Sequence, residues 1–247
     1  INKNELVQKL MEDIGINDSY IRDELIYPNL AHLLYDKHFI EEELTVFLKM
    51  LISNEYLLFD LKNKEENSVL KRSFTLLQIA ILLFIHRRDH IFDSYLIQET
   101  YCQFKQYFEN EKIVTGYVKE VGWVHTIAHS ADVFAQFMQI ETFDHTMLEE
   151  MFTMISSRLK DPKNFYHHDE DERMVKAIIK GIERKTLSNE FILDWVDAFS
   201  TYDKVSEYPQ AYYLTNNIKC FLRSLYFAFL DNTEYQWLID KIKQDLK

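Results

Sequence analysis

The sequence contains little glycine, proline or cysteine, and each shortage argues against a class of protein. Glycine occurs 4 times and proline 3 times in 247 residues, far below their usual shares of roughly 7% and 5%. Phosphate-binding loops and dinucleotide turns need closely spaced glycines, whereas these lie far apart, at Gly15, Gly116, Gly122 and Gly181. The sequence therefore argues against P-loop and Rossmann folds. It also has no Asn-Gly or Asp-Gly pair, a common hairpin signal, which argues against an all-β fold.

The two cysteines and the excess of acidic residues restrict the compartment and the partners. Cys102 and Cys220 are too few for a disulfide framework or a cysteine-based zinc site, so we expect a reduced, cytoplasmic protein. The net charge is −12, from 28 basic and 40 acidic residues. Because a general nucleic-acid binder needs basic residues to neutralise phosphates, we expect no nucleic-acid partner.

Long hydrophobic runs are also missing. The most apolar stretch, LLQIAILLFI at residues 76–85, is followed at once by HRRD. It is too short to cross a bilayer, which takes about 20 residues. We therefore expect a buried core helix at this position and no membrane partner.

What the sequence does contain is apolar residues at helical spacing along its whole length. Stripes such as Ile40, Leu44 and Leu48 predict amphipathic helices. Capping residues precede several of these patterns, namely Ser19, Ser68, Asp144 and Ser188. The sequence predicts helices near 4–13, 19–36, 40–53, 68–87, 94–110, 117–140, 144–159, 169–185, 188–201, 208–231 and 233–246.

The predicted helix starts recur at a regular distance. Alternate helices begin about 40–50 residues apart along the chain, and the segments between them do not resemble a domain linker. A two-helix unit of this size is typical of HEAT-like repeats, in which each unit buries its apolar face on its neighbours. The sequence thus predicts an all-α, HEAT-like α-α superhelix of about five helical hairpins, formed by a single domain over residues 1–247.

One predicted helix carries a narrow line of polar side chains. In GWVHTIAHSADVFAQ, residues 122–136, four polar groups fall within an arc of roughly 60°, since each residue turns the helix by about 100°. Most other positions, beginning with Trp123, are apolar or small. Polar groups on a buried helix must be hydrogen-bonded, ion-bound or facing water. We call this line the polar seam, and its members are His125, His129, Asp132 and Gln136.

Four interpretations of the polar seam are open at this point. Histidines at i and i+4 can bind one metal ion together with Asp132, and His167, His168 or Asp169 could add ligands. A His–Asp pair can act as acid and base in a ligand pocket, or the seam can line a groove for a peptide or protein. The histidines can also simply join adjacent core helices. Thr126 stands where an H-E-x-x-H protease has its glutamate, which excludes that motif.

Two arginines on other predicted helices are further candidates. Arg72 follows a long segment between helices, and Arg223 lies four residues after Lys219. If both arginines converge on the seam histidines, their guanidinium groups would bind a carboxylate or phosphate. The alternative for each is a salt bridge to one of the many acidic residues.

Several stretches, taken together, resemble a known family. They are RDELIY (22–27), NSVLKRSFTLL (67–77), GYVKEVGWVHTIAHSAD (116–132), DEDERM (169–174) and FLRSLYF (221–227). The family is an uncharacterised bacterial one, known only as a domain of unknown function, and the central motif is Gly122-Trp123-x-His125-x-x-x-His129-x-x-Asp132. Its pattern usually has an acid and an arginine before the Gly-Tyr-Val, where this chain has Ile113 and Thr115. The resemblance implies a single α-helical superhelical domain and no established activity, substrate or cofactor.

These observations favour a binding module. We predict a cytoplasmic helical protein that presents a polar groove to a peptide, protein or small anionic ligand, without a cofactor. The predicted ligand-binding residues are His125, His129, Asp132, Arg72, Arg223 and Trp123. The alternative is a metal-dependent hydrolase, in which His125, His129 and Asp132 bind a divalent ion such as zinc and Glu170 or Glu172 is the base.

Overall fold

The computed structural model describes residues 2–36, 38–65, 67–201 and 205–246, which are mostly α-helical. This confirms the predicted all-α class. A π-helical segment, Tyr20–Ile26, precedes α2, and a 3₁₀ turn, Thr233–Tyr235, precedes α11. The elements are α1 Lys3–Glu12, α2 Tyr27–Tyr35, α3 Glu41–Leu51, α4 Ser68–Asp89, α5 Ser94–Asn110, β1 Tyr117–Val118, β2 Gly122–Trp123, α6 Thr126–Phe137, α7 His145–Leu159, α8 Glu170–Glu183, α9 Asn189–Asp197, α10 Gln210–Phe229 and α11 Gln236–Asp245.

The contacts divide the chain into two compact units, Ile1–Phe137 and Met138–Lys247. In the first unit α4 packs against α2, α6 and α3, and α3 also packs against α5. In the second unit α10 packs against α8, α7 and α11, and α9 packs against α7 and α11. Within each unit, therefore, many of the helix contacts join an element to the next but one along the chain.

The long apolar helix α4 is the centre of the first unit. By length and composition it is the one helix within the described ranges that could cross a membrane, but 89% of its most apolar window is buried inside the protein. Nearly all of residues 76–85 are buried, with Phe84 the exception at 37% exposure. The predicted core helix is thus confirmed at this position.

Two of the four predicted helix caps are confirmed. The side chains of Asp144 and Ser188 accept backbone N–H bonds from the first turns of α7 and α9. Ser19 makes no capping bond, and Asp18, one residue earlier, accepts the N–H of Ile21 instead. Ser68 is the first residue of α4 rather than its cap.

The predicted helix 19–36 is divided into two parts. Its first part is the π-helical segment, and α2 follows with Pro28 in its first turn. Proline has no N–H for the carbonyl four residues earlier, so the regular ladder of hydrogen bonds is interrupted there.

The predicted helix 117–140 is wrong over its first nine residues. Residues 117–123 form a short antiparallel hairpin instead, with Tyr117 opposite Trp123 and Val118 opposite Gly122. Gly122 and His125 both have positive φ, at 85° and 50°, which a right-handed helix cannot contain. Only His129, Asp132 and Gln136 of the polar seam therefore lie on α6, and His125 directly precedes it.

Candidate functional site

The hairpin and the start of α6 position Trp123 and His125. The carbonyl oxygen of Gly116 accepts N–H bonds from Val124 at 2.8 Å and from His125 at 3.2 Å. The carbonyl of His125 then accepts the N–H of His129 at 2.8 Å, which starts the helical ladder of α6. The chain therefore turns from strand to helix at His125, and the positive φ of this residue makes the turn.

Arg22, from the π-helical segment, fixes the hairpin from inside. Its guanidinium is fully buried and donates to the carbonyls of Val121 and Trp123 at 3.1 and 3.3 Å. The same group pairs with Asp23 at 2.8 Å and lies 4.7 Å above the centre of the Phe74 ring. A planar guanidinium can make all of these contacts at once, so the backbone beneath Trp123 is held at several points.

The rings on this hairpin form a partly exposed row that we call the aromatic ledge (Tyr117, Trp123 and His125). The imidazole of His125 stacks on Trp123 with ring centres 4.2 Å apart and planes within 5°, and Tyr117 meets Trp123 edge-on at 4.9 Å. Tyr117 is 43% exposed and Trp123 is 41% exposed. The ledge is therefore an aromatic surface that a ligand can reach.

His129 continues from the ledge into the protein interior. Its ring centre is 5.6 Å from that of His125, and its Nδ1 is 2.9 Å from Oγ of Ser73 and 3.1 Å from the carbonyl oxygen of Ser73. The Ser73 hydroxyl donates its own proton to the carbonyl of Val124. Both Ser73 oxygens can then only accept from the imidazole, so Nδ1 of His129 carries a proton. His129 is buried and joins α6 to α4.

The far end of the polar seam meets Arg87, which is not among the predicted ligand-binding residues. Arg87, in the last turn of α4, donates to the Oε1 of Gln136 at 2.6 Å. Burial raises the pKa of Tyr35 above its usual range, while the charge of Arg88 lowers it and that of Asp132 raises it. Asp132 and Gln136 are both half-buried. This end of the seam thus combines a carboxylate with cationic groups at the surface of the first unit.

The spacing between Ser73 and Arg87 is a sequence signal for the position of Arg87. Ser73 and Arg87 are 14 residues apart, close to four helical turns at 3.6 residues each. Both side chains therefore point towards α6, Ser73 to His129 at one end and Arg87 to Gln136 at the other.

Arg72 is fully buried, and all of its N–H groups face protein acceptors. Its guanidinium binds Glu111 through two bonds of 2.6 and 3.1 Å. It also donates to the carbonyls of Phe59 and Asp60, the Oγ of Ser68 and the Oδ1 of Asn63, at 2.6–3.0 Å. With its donors occupied in this way, the geometry favours the salt-bridge alternative for Arg72 over direct contact with a ligand.

The remaining predicted residues lie in the second unit. Arg223 is exposed on α10. Burial raises the pKa of the nearby Cys220 thiol, the charge of Asp171 raises it further, and Arg223 lowers it. Glu170, one of the two proposed bases, is 1% exposed and accepts the backbone N–H of His168 at 2.7 Å. Arg223 and the polar seam thus belong to different units.

The metal-hydrolase alternative gains no support from the side-chain positions. Within residues 2–36, 38–65, 67–201 and 205–246, no three His, Cys, Asp or Glu side chains are placed to share a metal ion. The ring arrangement around Trp123 offers stacking and hydrogen bonding, together with the charges of Asp132 and Arg87. That chemistry is typical of ligand recognition.

Comparison with known proteins identifies a family. The family described as "Protein of unknown function (DUF2785)" matches residues 57–227, well over half of the chain, and the chain belongs to it. The predicted resemblance to a family of unknown function is confirmed to that extent. No curated protein and no solved structure matches this chain.

Proposed function

We propose that the chain is a binding module that captures a peptide or protein segment on the first unit, at the aromatic ledge and the exposed end of the polar seam. The single observation that carries this proposal is the stack of His125 on the 41%-exposed Trp123. Exposed aromatic rings give large contact areas for little loss of conformational entropy, and they are enriched where proteins bind each other.

The rigidity of the ledge supports a recognition role. Arg22 binds the backbone on both sides of Gly122, and Gly116 fixes the turn into α6. A surface that is already ordered loses less entropy when it binds a partner. We assign Trp123 and His125 to apolar contact with the partner, and Asp132 and Arg87 to its charged groups. His129 positions the start of α6.

The test is affinity capture with the full chain, followed by identification of the bound proteins. Trp123→Ala should reduce recovery of the specific partner at least about tenfold, because truncation of an aromatic hot spot costs about 2 kcal/mol or more. Tyr95→Ala is the matched control, since Tyr95 is a 75%-exposed aromatic residue of the same unit, and it should leave recovery unchanged. Equal recovery by the wild type and the Trp123 variant would contradict the proposal.

A second variant separates binding from folding. His125→Ala should weaken capture while the free energy of unfolding in urea changes by less than about 1 kcal/mol, because the ring is only half-buried. If the variant unfolds without loss of partner from the folded fraction, the ring stack is structural.

We also propose that the helices form a HEAT-like α-α superhelix of about five hairpins. The packing of α4 on α2 and α6, and of α9 on α7 and α11, supports this architecture, since alternate helices share a layer in such repeats. The low cysteine content and the acidic charge support a cytoplasmic location without nucleic-acid or membrane partners. We further propose a bacterial origin and a family-wide role for the Gly-Trp-x-His-x-x-x-His-x-x-Asp motif.

A further inference from the structure

A second surface of the first unit has the properties of a docking groove. It has a volume of about 640 Å³ and lies between α1 and α3. Its lining includes Glu12 on α1, Glu42, Val46 and Met50 on α3, and Glu55 and Tyr56 just after α3. All of these residues precede the segment 57–227 that matches the family. The groove therefore belongs to a part of the chain outside the family match.

The groove runs along the two helices and is bridged at one end. Lys3 and Asn4, at the start of α1, bind the two carboxylate oxygens of Glu43 at 2.6 and 2.8 Å. At the other end burial raises the pKa of the Tyr56 hydroxyl, and the charges of Glu55 and Glu12 raise it further. The 10 residues of α1 correspond to about 15 Å of helix at 1.5 Å per residue. About three turns of a partner helix would fit along this length.

The floor of the groove is apolar. Phe47, Leu44 and Tyr56 are buried beneath it, while Val46 on α3 is 68% exposed and Met50 is half-buried one turn further along. Removing apolar side chains from water stabilises a complex. A partner with an apolar stripe would therefore be stabilised by covering Val46 and Met50.

The rim of the groove is acidic. Glu12, Glu42 and Glu55 are exposed, and no ion pair joins them to another described residue. The rings of the groove already accept ammonium groups of this chain, with Lys3 Nζ 4.8 Å above Phe39 and Lys71 Nζ 4.6 Å above Tyr56. Carboxylates and ring faces both attract cations.

We propose that this groove docks an amphipathic basic helix of a partner protein, with its apolar face on Val46 and Met50 and its lysine or arginine side chains against Glu12, Glu42 and Glu55. The apolar floor and the acidic rim match the two faces of such a helix. The groove is separate from the aromatic ledge. If no basic helix binds in the groove, the function proposed for the ledge is therefore unaffected.

The direct test uses a synthetic probe with the full chain. A fluorescein-labelled peptide of about four helical turns, with leucines at i, i+3, i+4 and i+7 and lysines elsewhere, is titrated and followed by fluorescence anisotropy. We expect a micromolar Kd at low salt that rises with ionic strength, because part of the attraction is screened. A scrambled peptide of the same composition and a version with glutamate in place of lysine should bind at least about tenfold more weakly.

Charge variants locate the binding site. The triple substitution Glu12→Gln, Glu42→Gln and Glu55→Gln should raise the Kd at least about fivefold, since each rim charge contributes to attraction. The matched control is the triple substitution Glu109→Gln, Glu190→Gln and Glu207→Gln, which removes the same charge from exposed positions elsewhere. It should change the Kd less than about twofold.

An apolar variant tests the floor of the groove. Val46→Ser should raise the Kd about threefold or more, whereas Phe227→Ser should leave it unchanged, although Phe227 is similarly exposed at 67%. Circular dichroism checks that both variants are folded. The proposal is overturned if the peptide does not bind, if the scrambled peptide binds equally well, or if both triple variants weaken binding equally. It is also overturned if sedimentation shows a dimer that Val46→Ser dissociates, because the occupant is then a second copy of the chain.

Discussion

Arg72 illustrates how a charged residue can be stable inside an apolar unit. A guanidinium remains ionised in proteins, so burial without partners would be very costly. Here Glu111, itself 3% exposed, supplies the opposite charge, and backbone and side-chain oxygens occupy the other donors. The arginine thereby joins the start of α4 to the end of α5 and to the segment between α3 and α4.

This arrangement predicts a large loss of stability when one charge is removed. Arg72→Met leaves Glu111 buried without its partner, so we expect the free energy of unfolding in urea to fall by about 3–5 kcal/mol. The double variant Arg72→Met, Glu111→Leu should recover part of that loss, because no lone charge remains.

The control for Arg72 is an exposed pair. Lys180→Met removes a partner of Glu183 at the surface of α8 and should change the free energy of unfolding by less than about 1 kcal/mol. If Arg72→Met and Lys180→Met lowered the free energy of unfolding equally, burial would not determine what the loss of an ionic partner costs.

The role of single residues was only partly predictable from the sequence. A salt bridge was one of two alternatives for Arg72, but its acidic partner, Glu111, lies 39 positions away and no local pattern indicates it. Arg22 begins the RDELIY stretch of the family resemblance, but its role could not be predicted, since its acceptors are carbonyls of Val121 and Trp123, about a hundred residues further along the chain. Such pairings arise from the tertiary fold and not from helical periodicity.

The hairpin depends on a glycine with positive φ. Gly122 has φ of 85°, and a Cβ there would lie 2.8 Å from the Cβ of Ser19. Gly122→Ala should therefore lower the free energy of unfolding in urea by roughly 1–3 kcal/mol, since positive φ alone costs a residue with a Cβ about 1–2 kcal/mol.

A second substitution separates the two causes of this loss. Adding Ser19→Gly removes the close contact between the two Cβ atoms, while the backbone strain at residue 122 stays. The double variant should therefore recover only part of the lost stability. Full recovery would mean that the positive φ carries no cost.

The connection between α1 and α3 makes stability dependent on pH. Hydrogen bonds from Lys3 and Asn4, together with the N–H of Ile40, lower the pKa of Glu43 from 4.5 to about 2. The unfolded chain then binds a proton more readily than the folded chain, so the stabilisation is present above about pH 4.5 and is lost as the pH falls towards about 2. Urea unfolding of Glu43→Gln should show a shallower decline over this range than the wild type.

The control for Glu43 is Glu190→Gln, at an exposed position of the second unit. In this variant the free energy of unfolding should fall between pH 4.5 and 2 as steeply as it does in the wild type. A decline in Glu43→Gln that equals the wild-type decline would contradict the assignment.

Most helices were predictable because their apolar stripes are regular. α3, α5 and α7 begin and end within two residues of the positions predicted from periodicity and capping. The hairpin at Tyr117–Trp123 was not, because residues 117–124 alternate too briefly to indicate strands and neither usual turn pair is present. As a result, the polar seam was predicted one turn too long. His125 lies before α6, and His129, Asp132 and Gln136 lie on it as expected.

At the scale of the whole molecule, we propose that the two compact units fold together as one domain. The family segment 57–227 continues across the boundary between Phe137 and Met138. Tryptophan fluorescence can test this in urea, with Trp123 as the probe of the first unit and Trp195 as the probe of the second, the other tryptophans being replaced by phenylalanine. Both probes should show the same midpoint, as in a two-state transition. Distinct midpoints would mean two independently folding domains.

The buried pair of Arg72 and Glu111 has a consequence for the evolution of this family. A change at either position alone would strand an ion in the interior, and most lineages carrying it would lose the folded protein. Relatives should therefore keep both residues or replace both together with apolar ones of similar volume, so that substitutions at these two distant sites accumulate in concert.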